Sequence, residues 1–182
     1  MHKINKLTDE EVVEITRTKD KQAYGEIIKR YQNKLMRYVT YLLSDENRAA
    51  DVVQDSLVNA YINLNSFNSK KKFSSWIYRI VHNHAINISK KHSRETVIGE
   101  NWDIEDSVDI EADYTREEIR KMVTDCLGDM PVAYREVLTL YYLEDKKYLD
   151  ISDILRIPMG TVGVRMRRAK ILMKKICQKR QK

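Results

Sequence analysis

Residues 148–170 have the sequence YLDISDILRIPMGTVGVRMRRAK, and their apolar spacing decides the fold of the second half of the chain. Ile151, Ile154 and Leu155 fall at i, i+3 and i+4, which predicts one apolar face of a short helix. Pro158 ends that helix, because the residue before a proline is pushed out of the helical region. Beyond the proline, apolar residues recur at intervals of 4, 3, 4 and 3, which predicts a second, longer helix.

The second of these helices carries charge of one sign on its outer side. Ten Lys or Arg and no Asp or Glu lie between Arg156 and Lys182. A short helix, a tight turn and a basic helix form the helix-turn-helix arrangement, whose second helix enters the DNA major groove. The alternative is an amphipathic helix with a solvated basic face, but charge of a single sign favours phosphate contact. This segment is therefore predicted to bind nucleic acid.

Composition narrows the class of protein. The 182 residues carry a net charge of +6 with a pI near 9.2, which favours an anionic partner. Five Gly and two Pro predict a mostly helical chain. The sequence has neither an apolar run of membrane-spanning length nor a signal peptide, so a cytoplasmic protein is predicted. Cys126 and Cys177 form no CxxC pair, so reduced, structural thiols are expected.

Four helices are predicted in the first half of the chain. Thr8 and Glu11 have the spacing of a capping box, which places a helix start there. A second helical pattern follows Asp20 and ends at residues 44–45, a third runs over residues 46–64, and a fourth begins at residue 73.

Two features of this half suggest ligands. The third helix carries a polar face opposite a predicted apolar seam of Ala50, Val53, Leu57, Ala60 and Leu64. Between Asp55 and Glu95 the chain has seven Lys or Arg, three His, several aromatic residues and no acid. Cations for phosphate and rings for unstacked bases are typical of a surface for single-stranded nucleic acid. Simple solvation of the polar face and core packing of the aromatic rings remain the alternatives.

An acidic segment divides the chain. Residues 94–113 contain eight acidic residues and one basic residue, which predicts an extended linker. Such a linker is either an inert spacer or an occupant of a basic channel in a partner. The predicted fold is therefore all-α: two small helical domains, residues 1–93 and 115–182, are joined by an acidic flexible linker over residues 94–114. The C-terminal domain is predicted to have four helices, beginning at a Thr115–Glu118 capping box and ending in the helix-turn-helix.

Four segments together resemble one family. They are DVVQD (51–55), FSSWIYRIVHNHAIN (73–87), MPVAYREVLTLYYLE (130–144) and the helix-turn-helix (148–170). Over nearly its whole length the chain resembles a bacterial RNA polymerase sigma factor of the extracytoplasmic-function group. The resemblance implies an alternative sigma factor that binds core RNA polymerase and both double-stranded and melted promoter DNA. It implies no cofactor, metal, small-molecule substrate or covalent catalysis, and control by an anti-sigma protein, which is often membrane-anchored.

The resemblance also implies three binding surfaces. Residues 1–93 correspond to sigma domain 2 and residues 115–182 to sigma domain 4, with the acidic linker threading through the polymerase. The implied surface for core polymerase comprises Asp51, Gln54, Asp55 and Asn59. The implied surface for the −10 element comprises Asn65, Phe67, Lys70, Lys71, Lys72, Phe73, Trp76, Arg79, Asn83 and Lys90. For the −35 element it comprises Val164, Arg167 and Arg168 at base edges, Thr161, Arg165 and Lys170 at phosphates, and Gly163.

Three residues depart from the family pattern. Arg156 lies in the turn where relatives have a small residue, often glycine. Gly163 and Val164 replace a Lys or Arg and a Ser or Thr, so contact there is expected to be apolar or through the backbone.

Two other functions are compatible with parts of the sequence. A free-standing DNA-binding regulator explains the C-terminal domain but neither the acid-free aromatic interval nor the polar face of the third helix. An enzyme acting on nucleic acid is disfavoured because the chain has no P-loop and no HExxH motif. His82 and His84, two residues apart on a helix, also diverge too far for a metal pair.

Overall fold

The computed structural model describes residues 4–92 and 116–180. Within these ranges the regular structure is helical, and no strand occurs in them. The α-helices are α1 (Asp9–Thr18), α2 (Tyr24–Leu43), α3 (Glu46–Ile62), α4 (Phe73–His92), α5 (Arg116–Gly128), α6 (Val132–Leu138), α7 (Tyr148–Leu155) and α8 (Met159–Arg180). The all-α prediction is confirmed. The acidic linker predicted over residues 94–114, and the cap predicted at Thr115, lie outside the described residues.

The helix starts follow the capping residues of the sequence. The Glu11 backbone N–H donates to the Thr8 hydroxyl at 3.2 Å, and the Thr8 N–H donates to the Glu11 carboxylate at 2.7 Å. The predicted capping box is therefore present. Asp45 caps α3 by accepting from the Arg48 N–H at 3.1 Å, directly after Ser44 has ended α2 in the left-handed conformation.

The N-terminal domain, residues 4–92, packs α1, α3 and α4 around α2. Its largest fully buried side chains include Leu35, Tyr38, Phe73 and Tyr78. The buried seam of α3 follows the predicted period with one correction. Ala50 is exposed, and its neighbour Ala49 is buried instead.

The C-terminal domain, residues 116–180, has the predicted four helices. A π-helical turn, Thr139–Leu143, extends α6, and α7 and α8 form the helix-turn-helix. Arg156 occupies the turn with φ 57° and ψ 39°, the left-handed conformation that glycine adopts most easily. None of the helices in the described ranges is long and apolar enough to cross a membrane.

The expectation of reduced cysteines is wrong for this structure. Cys126 in α5 and Cys177 in α8 form a disulfide, with their Cα atoms 5.6 Å apart. The two residues are 51 positions apart in sequence, and it is the packing of α5 against α8 that brings them together. Local spacing could not predict this pair.

The two domains contact each other directly. Helix α4 packs along α7, and α2 packs against α5 and the π-helical turn. This contact places one side of α4 in a second buried environment. Tyr78 and His82 are buried although they lie off the apolar seam that the helical period predicts for α4, which is Phe73, Ile77, Ile80, His84 and Ile88.

Candidate nucleic-acid interface

The polar face predicted on α3 is open to solvent. Asp51, Gln54, Asp55 and Asn59 are all exposed. Beside this face, an apolar groove runs between α2 and α3, and its lining includes Tyr24, Ile28, Met36, Gln54, Leu57, Val58 and Tyr61.

Two apolar side chains at this groove and just beyond it face the solvent. Val58 is 54% exposed and Ile62, one turn further along α3, is 71% exposed. Exposed apolar residues next to polar ones are typical of a protein-binding surface. The apolar period of α3 gives no signal for these two residues, because it marks only the side of the helix that faces the core.

The residues expected to contact the −10 element divide into three groups. Exposed side chains are Asn65, Lys70, Lys71, Lys72 and Asn83, while Trp76 and Arg79 are partly exposed. Lys90 lies in α4, and its side chain is outside the description. Phe67 and Phe73 are 4% and 0% exposed, so their prediction as surface residues was wrong.

Phe67 and Phe73 are buried because they belong to an aromatic cluster. The Phe67 and Phe73 ring centroids are 5.3 Å apart, and Trp76 lies 5.5 Å from each of them. Phe73 also meets the Tyr31 ring edge-on at 5.7 Å. The two buried phenylalanines therefore pack against Trp76 on its core side. Of the three aromatic residues predicted to contact the −10 element, Trp76 is the one that is partly exposed.

Arg17 of α1 anchors the loop before α4, a role that the sequence did not suggest. Its guanidinium donates to the carbonyl oxygens of Leu64 and Phe67 and to the Ser69 hydroxyl, the last at 3.1 Å. It also lies over the Phe67 ring, 5.7 Å from the centroid. These contacts join positions about fifty residues apart, so no local pattern could predict them.

The outer side of α8 carries most of the predicted −35 set. Val164, Arg167, Arg168 and Lys170 are exposed, and Thr161 and Gly163 are partly exposed. Lys170 Nζ lies 5.5 Å from the centroid of the Tyr142 ring. This cation–π contact holds the Lys170 ammonium group beside the outer side of α8.

Arg165 does not have the free side chain that the prediction of a phosphate contact assumed. Its guanidinium donates to the buried Glu136 carboxylate of α6 at 2.7 Å, so it acts inside the domain and is not a free phosphate contact. Burial raises the pKa of Glu136 to about 7, and the Arg165 charge opposes that rise. Across the domain contact, His82 Nε2 lies 3.7 Å from Glu136, and burial lowers the pKa of His82 to about 4.

Two predicted DNA-binding cations form ion pairs with the other domain. Lys72 Nζ lies 2.7 Å from the Asp150 carboxylate, and an Arg79 nitrogen lies 2.6 Å from the Asp153 carboxylate. Both acids belong to α7, the first helix of the helix-turn-helix. The sequence could not predict these pairs, because they depend on how two separate domains meet.

Within residues 4–92 and 116–180, no group of three or more His, Cys, Asp or Glu side chains is placed to hold a metal ion.

Two family models match the chain in order. Sigma-70 region 2 matches residues 27–95, and Sigma-70 region 4 matches residues 120–173. The ECF RNA polymerase sigma-E factor of Haemophilus influenzae is 34% identical over 175 residues, which cover 90% of this chain and 92% of that protein.

Solved structures give the same fold. CnrH, determined in complex with the cytosolic domain of CnrY, superposes with a TM-score of 0.73 at 20% identity, covering 93% of this chain and 97% of that one. The sigma factor RpoE of Bartonella quintana, determined with the anti-sigma factor NepR, superposes with a TM-score of 0.69 at 22% identity, covering 86% and 98%.

Proposed function

The chain belongs to the extracytoplasmic-function family of RNA polymerase sigma factors, and from this premise we propose which surface performs each step of promoter recognition. The N-terminal domain binds core polymerase and the −10 element, and the C-terminal domain binds the −35 element. The observation that carries this proposal is the exposure of a distinct set of polar or cationic side chains on each domain, at the positions that the family pattern indicates.

Core polymerase binds the α3 face made of Asp51, Gln54, Asp55 and Asn59, with the exposed apolar residues Val58 and Ile62 beside it. This mixture of polar and apolar side chains supports a protein partner, because solvation alone does not require exposed apolar residues of this size.

The −10 element binds the exposed side of the loop before α4 and the adjoining side of α4. The cations Lys70, Lys71, Lys72 and Arg79 neutralise phosphates, and Trp76 offers a ring face to an unstacked base. Phe67 and Phe73 support this surface from the core.

The −35 element binds the outer side of α8. Arg167 and Arg168 reach base edges or phosphates, and Val164 offers an apolar contact such as one with a thymine methyl group. The factor performs no covalent chemistry of its own, acts in the cytoplasm, and is controlled by an anti-sigma protein, free or membrane-anchored. The RpoE structure with NepR supports that last part.

Reconstituted transcription tests the function. The chain is added to sigma-free bacterial core polymerase with genomic DNA, and transcript starts are sequenced. We expect starts that lie downstream of one shared pair of promoter boxes. Binding of duplex DNA by the chain alone, with no response from the polymerase, would instead favour a free-standing regulator.

Matched variants test the surfaces. Asp51→Ala with Asp55→Ala should weaken association with core polymerase at unchanged melting temperature. Glu46→Ala on the same helix should leave that association unchanged.

Arg167→Ala with Arg168→Ala should lower the salt dependence of promoter binding by about two in the log–log slope, since two phosphate-proximal charges are lost. Lys174→Ala with Lys179→Ala removes the same charge from the far end of α8 and serves as the control.

A further inference from the structure

Tyr141, Tyr142 and Tyr148 form a tyrosine cluster beside α8, outside the three binding surfaces proposed above. The Tyr141 ring centroid lies 4.9 Å from that of Tyr142 and 5.4 Å from that of Tyr148, and the rings are packed edge to face in both pairs. Tyr141 is 39% exposed and Tyr142 is 53% exposed. Large aromatic side chains are mostly buried, so neighbouring rings that face the solvent indicate a binding surface.

The backbone explains why two of these rings are exposed. Tyr141 and Tyr142 lie in the π-helical turn, in which the Glu144 N–H donates to the Thr139 carbonyl oxygen at 3.2 Å. Thr139 and Leu140 of the same turn are buried, and the two residues after them face the solvent. Turns of this kind are rare and often lie at functional sites. The exposure of both rings therefore follows from the path of the backbone and not from side-chain rotation alone.

The tyrosine cluster is continuous with the outer side of α8. A Cβ atom placed on Gly163 would lie 3.9 Å from the Tyr148 ring, so this end of the cluster reaches one residue of the predicted −35 set. The other end reaches a second, because Lys170 Nζ lies 5.5 Å from the Tyr142 ring centroid. From Gly163 to Lys170, every exposed charged side chain of α8 is a cation. The rings therefore border a surface that attracts phosphate.

Tyr142 and Lys170 present two hydrogen-bond donors at one exposed place. A hydrogen bond between the Lys170 ammonium group and Tyr142 raises the pKa of Lys170, which favours its charged form. An ammonium group has no acceptor, so the Tyr142 oxygen accepts this bond and the phenol keeps its own proton to donate. A DNA phosphate has oxygens that can accept from a charged and a neutral donor together.

We propose that Tyr142 and Lys170 form a clamp for one phosphate of the −35 duplex, and that the Tyr141 ring packs against the adjoining deoxyribose. The proposal rests on the assignment of the outer side of α8 to the −35 element. Base contacts from α8 specify the sequence, and the clamp fixes the register of the helix on the duplex. A protein partner would instead use the apolar faces of the rings and would not need the Tyr142 hydroxyl.

Variants that differ by one hydroxyl group test the clamp in assembled holoenzyme. Tyr142→Phe removes the hydroxyl and keeps the ring. Tyr134→Phe makes the same change at a partly exposed position of α6, outside the tyrosine cluster, and serves as the control. Each holoenzyme is titrated with a promoter fragment taken from upstream of the mapped transcript starts. Tyr142→Phe should bind the fragment roughly three- to tenfold more weakly than Tyr134→Phe does, because one hydrogen bond to a charged group is lost.

The salt dependence of binding distinguishes the two members of the clamp. Lys170→Ala removes a charge and should lower the log–log slope by about one. Tyr142→Phe removes no charge, so its slope should equal that of the native chain although its affinity is lower.

Neutral backbone linkages identify the phosphate. Methylphosphonate linkages are placed one at a time through the −35 element and its flanks, and each removes one negative charge from the DNA. One of them should weaken binding by the native chain and have a smaller effect on both Tyr142→Phe and Lys170→Ala, since residues that share a partner are not additive.

Two results would overturn the proposal. In the first, Tyr142→Phe binds every fragment as tightly as Tyr134→Phe does. In the second, Tyr141→Ala with Tyr142→Ala weakens association with core polymerase in the absence of DNA, which would assign the rings to a protein partner.

The arginine pair of α8 separates this failure from that of the proposed function. If Arg167→Ala with Arg168→Ala weakens promoter binding but Tyr142→Phe does not, the clamp alone is wrong. If neither the arginine pair nor Lys170→Ala changes promoter binding, the outer side of α8 is not the −35 surface, and the clamp proposal falls with that assignment.

Discussion

Arg156 holds the turn of the helix-turn-helix in a conformation that disfavours a side chain, at φ 57°. The left-handed region costs a residue with a Cβ roughly 1–2 kcal/mol, of which glycine's greater freedom in the unfolded chain offsets about half. Arg156→Gly should therefore raise stability by about 0.5–1 kcal/mol, seen as a melting temperature a few degrees higher. Ser44→Gly, at φ 55° in the other domain, is the companion measurement. A lower melting temperature for Arg156→Gly would show that the arginine side chain makes a stabilising contact.

Glu136 gives the folded protein a pH dependence that can be isolated. Burial raises its pKa from 4.5 to about 7, so the folded state holds a proton that the unfolded chain has released, and stability falls as pH rises through this range. His82, with its pKa lowered from 6.5 to about 4, acts in the opposite direction, and its effect fades only as the unfolded-state imidazole loses its charge, over about pH 6.5 to 7.5. Tyr38 and Arg165 complete the polar surroundings of this pair.

Between pH 6.5 and 7.5 the two groups oppose each other, so the contribution of Glu136 is obtained by comparing the native chain with the Glu136→Gln variant. In the native chain the Glu136 carboxyl, half protonated near pH 7, should make the free energy of unfolding, measured with denaturant, decline by about 0.7 kcal/mol per pH unit there. Glu136→Gln should flatten this decline, whatever its effect on the absolute stability. A slope that is the same in both proteins would contradict the assignment.

At the scale of single elements, the loop before α4 depends on α1. Arg17→Ala removes the donors that hold the Leu64 and Phe67 carbonyl groups, so the loop should lose its fixed shape. We expect severalfold less transcription from a duplex promoter, with activity largely restored on a template already mismatched at the −10 element. Lys19→Ala, exposed on the same segment, is the control. A defect of equal size on the mismatched template would indicate a loss of folding rather than of loop positioning.

Helices and their caps could be predicted from the sequence where the residues that specify them lie a few positions apart. The capping box at Thr8 and the apolar period of α3 both depend on residues a few positions apart, and both were predicted correctly, apart from Ala50. Phe67 and Phe73 were misassigned because aromatic residues suit a core and a nucleic-acid surface equally well. Arg165 was misassigned because its partner, Glu136, lies 29 residues away on another helix.

For the whole molecule, the fold class and the order of the domains could be predicted, but the contact between the domains could not. The positions of Glu144 and Asp153 against α2 and α4 follow from the docking of two separately folded units, for which no helical period provides a signal. The same limit applies to the disulfide, whose halves lie on α5 and α8.

The disulfide should stabilise the C-terminal domain measurably. Closing a loop between residues 51 positions apart restricts the unfolded chain, by about 4 kcal/mol in the chain-entropy model. Reductant should therefore lower the melting temperature of the native chain but not that of a Cys126→Ala, Cys177→Ala variant. If the native chain melted identically with and without reductant, its cysteines would not be joined in solution.

The same bond turns the helix-turn-helix into part of a covalent ring. The ring begins in α5, continues through α6 and α7, and closes near the end of α8. A protease that cut once in the turn between α7 and α8 would leave two pieces still tied through sulfur. On a denaturing gel without thiol the nicked protein would run as one species, and only reduction would release its fragments.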